Sequence, residues 1–123
     1  METIEEAIKQ LQKDSKEISQ ECKILDQEAF MYRIALMEGL KPRKKLTDRQ
    51  ILHLSATGGI TETLLDICKK VTSESKKQKT CLEVIHCRHR LYGVLMIHTL
   101  LKSEINEIGD LLKNVGQGNN TLH

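Results

Sequence analysis

The sequence predicts an all-α protein: an elongated helical bundle or coiled coil of three long antiparallel segments, the middle one broken at Gly58-Gly59. Three observations carry that expectation. Apolar residues recur in alternating steps of three and four along the first and last parts of the chain, the period of a helical seam. Neither Gly nor Pro interrupts the chain between residue 3 and Gly39. β-Branched residues are nowhere clustered in the alternation that a half-buried strand requires.

In the first segment, Ile4, Ile8, Leu11, Ser15, Ile18, Cys22, Leu25, Ala29, Tyr32 and Leu36 are spaced 4,3,4,3,4,3,4,3,4. A helix of about 36 residues extends about 54 Å at a rise of ~1.5 Å per residue. Over residues 4–25 the seam is narrow: Ile4, Ile8, Leu11 and Ile18 lack flanking apolar positions, so this stretch suits one partner helix, from the same chain or from another. Ser15 and Cys22 on the seam weaken homotypic pairing and help to fix register. Beyond Ile24 the stripe widens through Phe30, Met31, Ile34 and Met37, which predicts contact with more than one neighbour. Gly39 and Pro42 supply the stop.

The middle segment opens on Thr47-Asp-Arg-Gln50, the pattern of a capping box with Thr47 as N-cap. A short helix carrying Ile51, Leu52 and Leu54 then meets Gly58-Gly59, expected to break or kink it. Ile60, Leu64, Ile67 and Val71 resume the helical spacing. Residues 72–80 hold no apolar side chain and read as a loop or a polar helical turn. In the last segment Val84, Cys87, Leu91, Val94, His98, Leu101, Ile105, Ile108, Leu112 and Val115 are spaced 3,4,3,4,3,4,3,4,3, and Leu95, Ile97, Leu100 and Leu111 broaden the stripe. Gly116 and Gly118 mark its end, so residues 1–115 are expected to form one domain and 116–123 a flexible polar tail.

Composition narrows the functional classes. With 123 residues, 39% hydrophobic and 29% charged, the chain is neither disordered nor large enough for several domains. One proline excludes Pro-rich recognition segments, and three aromatics (Phe30, Tyr32, Tyr92) leave little to stack on single-stranded nucleic acid. The acidic start is no secretory signal, and the longest nearly apolar run, Leu91 to Leu101, is about half the ~20 residues a membrane span needs. The four cysteines read as reduced thiols, and an intracellular protein, cytoplasmic and/or nuclear, is expected.

The formal net charge of +2 conceals an asymmetry. Residues 1–40 carry five Lys/Arg against nine Asp/Glu, residues 41–90 carry twelve against five, and residues 91–123 carry two against three. The basic excess has foci at Lys41, Arg43, Lys44 and Lys45, at Lys69 to Lys79, and at Arg88 with Arg90. Such foci could bind phosphate, although solvated loops and helix ends explain them as simply.

Cys81, His86, Cys87 and His89 hold possible metal ligands, but on a helix at ~100° per residue they point to different sides and cannot close a tetrahedron. Cys87 lies on the seam and reads as core. His98, also on the seam, reads as a core histidine with a hydrogen-bond partner. No nucleophile–base signature, paired carboxylates, phosphate loop or dinucleotide fingerprint is present, so no catalytic residue, metal or cofactor is assigned. The function expected is a non-catalytic interaction or assembly subunit. It would present heptad-seam helices, Ile4, Ile8, Leu11 and Ile18 foremost, to a helical partner or to itself. The alternative is a nucleic-acid or nucleoprotein-binding module using the basic segment 41–90.

Overall fold

Thr3 starts the first helix by accepting a hydrogen bond from the Glu6 amide at 3.1 Å. In the computed structural model, which describes the backbone of residues 2–121 and the side chains of residues 2–113, this helix, α1, spans Ile4–Met37. It ends in a Schellman motif: Gly39 adopts φ +72°, its amide donates to Leu36 O (3.3 Å), and the Leu40 amide donates to Ala35 O (2.9 Å). After a single 3-10 turn at Arg43–Lys45, helix α2 spans Asp48–Ser75. Its capping box forms as the sequence predicts, with Gln50 N to Thr47 Oγ1 at 3.1 Å and Thr47 N to Gln50 Oε1 at 2.9 Å. Helix α3 spans Cys81–Thr121. Thr80 caps it by accepting from the Glu83 amide, while Glu83 Oε2 accepts from the Lys79 amide.

Gly58-Gly59 does not break the middle segment. Glycine in a helix interior costs about 1 kcal/mol relative to alanine, which weakens a helix without ending it. Leu54, Thr57, Thr61, Leu64, Cys68, Val71 and Ser75 are all buried at spacings of 3,4,3,4,3,4, so one continuous face packs across the glycines. Two threonines at core positions hide that seam from an apolar pattern. Thr57 Oγ1 donates to His53 O (2.8 Å), and the Thr61 hydroxyl is placed against Thr57 O, Gly58 O and Asp26 Oδ1 (3.0–3.2 Å).

Successive helices run antiparallel, and each packs against both others. Ala7, Leu11 and Cys22 of α1 meet Leu64, Cys68 and Val71 of α2 and Val84, Cys87, Leu91 and Val94 of α3 in one cluster. Leu25 and Ala29 meet Leu54 and Leu101, Ile105, Ile108 and Leu112 in a second, which Leu46 of the connection closes. Every described seam residue of α1 and α3 is buried or half-buried, as the spacing requires. The widening of the stripes behaves otherwise. Phe30, Met31 and Met37 of α1, and Leu95, Ile97 and Leu100 of α3, were expected against neighbours but lie exposed. Two neighbouring helices cover only one side of a third, and a broad apolar stripe extends past that side. The helical backbone of α3 continues past Gly116 and Gly118 to Thr121, and the side chains of the expected tail, 116–123, lie outside those described.

Candidate functional site

The narrow seam of α1 is occupied by the chain itself. Leu11 is fully buried, and Ile4, Ile8 and Ile18 are half-buried against the same cluster of α2 and α3 residues. The partner helix that this seam calls for is thus supplied from within the bundle. Ser15, also on the seam, is buried and donates to Cys68 O (3.1 Å), while Thr72 donates to Ser15 Oγ (2.8 Å), which ties α1 to α2 through a polar step.

Lys41, Arg43, Lys44 and Lys45 are exposed on the connection between α1 and α2, at the opposite end of the bundle from Lys69 to Lys79. The two foci do not merge. The structure instead joins Lys69 and Lys76 with Lys16 and Lys23 of the acidic first helix, around an open α1–α2 groove of about 570 Å³ with no carboxylate in its lining. Three carboxylates of α1 face the other way. Asp14, Glu17 and Glu21 line a cleft of about 420 Å³ against α3, with Arg88, Leu91, Tyr92 and Leu95 on its far wall. Segment-by-segment charge counting misses this division, because Lys16 and Lys23 are interleaved with Asp14, Glu17 and Glu21 along the chain and separate from them only around the helix.

The Cys/His group is dispersed. Cys87 is buried in the core, whereas Cys81, His86 and His89 are exposed. Burial raises the Cys87 thiol pKa, and burial pushes Cys22 from 9.0 up to about 11, with Cys68 and Glu21 adding to the rise. Burial also raises Cys68, against the opposing pull of the Ser19 and Ser15 hydroxyls. Held as neutral thiols, these three serve as small apolar side chains. His98 is buried where the two core clusters meet, and its Nε2 has no hydrogen-bond partner among the described residues, contrary to the expected one.

The surface most unlike an ordinary solvated face is the outer side of α3. Leu82, Ile85, Tyr92, Met96 and Leu100 are all exposed, Met96 by 67% and Leu100 by 68%. At ~100° per residue they lie on the side of the helix opposite Val84, Leu91, Val94 and His98. No charged residue occurs between Leu91 and Leu101. Exposed Ile97 continues the patch onto an apolar groove with Ile60, Leu64 and Ile67 of α2. Leu95 continues it onto the cleft with Ile18 of α1. Single exposed apolar residues are ordinary, but a contiguous uncharged strip of them is not. A second 4,3,4 spacing, Ile85, His89, Tyr92 and Met96, is the signal in the sequence that points to it.

No family model, curated protein or solved structure matches the chain.

Proposed function

We propose that the chain is a non-catalytic interaction and assembly subunit that offers a helical face to a partner helix or to another copy of itself. The observation that supports this most is the uncharged apolar strip on the outer side of α3, left open after the bundle has buried both of its seams. The contact surface moves accordingly from Ile4, Ile8, Leu11 and Ile18, which hold the bundle together, to Leu82, Ile85, Tyr92, Met96 and Leu100. No described helix is long and apolar enough to cross a membrane. Four free cysteines, three of them buried, fit the reducing cytoplasm or nucleus, where we place the protein.

Intact-mass measurement after purification from the native source tests the proposal. The wild-type chain should emerge in a species heavier than 14.1 kDa, and a Met96→Glu/Leu100→Glu variant should emerge alone. A wild-type chain recovered only at 14.1 kDa would contradict the proposal.

The four-lysine groove favours a second reading, a nucleic-acid or nucleoprotein-binding module. Such binding weakens steeply with salt through counterion release. Neutralising Lys16, Lys23, Lys69 and Lys76 should flatten the salt slope, as should neutralising Lys41, Arg43, Lys44 and Lys45 if the connection takes part. Absence of a shift with duplex or single-stranded oligonucleotides at low salt removes this reading.

A further inference from the structure

We infer that the outer face of α3 is a self-pairing surface, on which a second copy of this chain docks its own α3 antiparallel about a two-fold axis beside residue 98. The inference deepens the assembly reading above and rests on it. The order of side chains along that face is complementary to its own reverse.

Read from the N-terminal end, the outer face carries Ile85, His89, Tyr92, Gly93, Met96, Thr99, Leu100, Ser103 and Glu107, with Asp110 one turn further. Its first part bears imidazole and, at the edge, the Arg88 guanidinium. The middle is uncharged, and the last part bears carboxylates. Glu104 on the neighbouring edge is already engaged by His53, whose Nδ1 lies 2.6 Å from Glu104 Oε2. Glu107 and Asp110 have no ion pair among the described residues.

Laying the face antiparallel on a copy of itself with the axis at residue 98 produces three matches in one register. Met96 lies opposite Leu100 of the second copy, so the two most exposed apolar residues of the charge-free stretch cover each other. Gly93 lies opposite Ser103, two small residues that let the backbones approach. A Cβ built on Gly93 meets no atom of its own chain within 4 Å, so the space above it is open. His89 lies opposite Glu107, with Arg88 and Asp110 close by at the edges. A parallel arrangement in register would instead set Glu107 against Glu107 and His89 against His89. In a two-fold interface each such contact occurs twice, so the face has to be self-complementary, as this one is. The imidazole–carboxylate pairing of His89 with Glu107, with the Arg88 and Asp110 charges beside it, then sets orientation and register while the apolar middle supplies burial.

The test is sedimentation equilibrium of the full chain with circular dichroism as the folding control. The wild type should rise with concentration from 14.1 kDa toward twice that mass. Met96→Glu/Leu100→Glu should stay monomeric with undiminished helicity. His89→Glu, which faces Glu107 with a carboxylate, should weaken pairing by roughly tenfold, and adding Glu107→Lys to the same chain should restore it. A wild type that stays monomeric at every concentration overturns self-pairing. If that monomer still enters a heavier species in its native source, the assembly reading stands and the partner is another chain. A dimer indifferent to Met96→Glu/Leu100→Glu overturns the surface, and failure of Glu107→Lys to rescue His89→Glu overturns the antiparallel register.

Discussion

His98 occupies a seam position at the junction of the two core clusters, yet its Nε2 finds no partner among the described residues. A buried polar atom left without a hydrogen bond costs about 1–3 kcal/mol, so His98→Leu should stabilise the bundle by about 1 kcal/mol, read as a higher midpoint in chemical denaturation. A lower midpoint would show that the imidazole does find a partner in solution. The thiols make a second prediction at this scale. Burial raises the pKa of Cys22 from 9.0 to about 11, so the folded state excludes its thiolate. Stability associated with that exclusion is complete below pH 9 and is lost as pH rises toward 11. A Cys22→Ala variant should lose less stability over the same window. At neutral pH a thiol reagent should modify exposed Cys81 rapidly, and Cys22, Cys68 and Cys87 only as the protein unfolds. Cys87 was legible as a core residue because its seam position determines its burial. The orphaned nitrogen of His98 was not, because hydrogen-bond partners come from other helices at distances that spacing alone does not specify.

At the scale of elements, helix starts and seams were the most readable features. The Thr47–Gln50 box and the stop at Gly39 form as their residue types require. Thr80-Cys-Leu-Glu83 carries a comparable start signal, which begins on the last residue of the polar stretch 72–80. Gly58-Gly59 hides the continuous α2, because it is a local signal of about 1 kcal/mol per residue, whereas packing on both sides of it acts over the whole helix. The glycines can now be separated by their surroundings. Nothing lies within 4 Å of a Cβ built on Gly59, so Gly59→Ala should stabilise by about 1 kcal/mol. A Cβ on Gly109 would fall 2.9 Å from the Tyr32 ring carbon that bears the hydroxyl. Gly109→Ala should therefore destabilise by about 1 kcal/mol or more despite the better helix former, and a Tyr32→Ala background should remove that penalty. Equal effects at the two positions would contradict the close packing of α1 on α3.

At the scale of the molecule, the two heptad seams were read correctly as contact surfaces, but the sequence alone could not say whose contacts they are. A seam specifies that a helix must be covered, and the covering helix carries no address. Folding answers the question by turning both seams inward, so Ile8→Asp or Leu11→Asp should abolish folding as well as any association. Of the apolar residues that broaden those seams in the sequence, Ile34 and Leu111 are half-buried, whereas Phe30, Met31, Met37, Leu95, Ile97 and Leu100 stay uncovered. Leu100, together with Leu82, Ile85, Tyr92 and Met96, forms the strip proposed for assembly on the side of α3 facing away from its own core.

Methionine oxidation followed by mass spectrometry tests this division most directly, because the chain carries its own control. Met96 lies in the proposed contact strip and Met37 lies far from it at the end of α1, exposed by 67% and 82%. In the assembled species, Met96 should become several-fold slower to oxidise than in the dissociated Leu100→Glu variant, while Met37 remains unchanged. Equal oxidation of Met96 in the assembled and dissociated states would contradict the account.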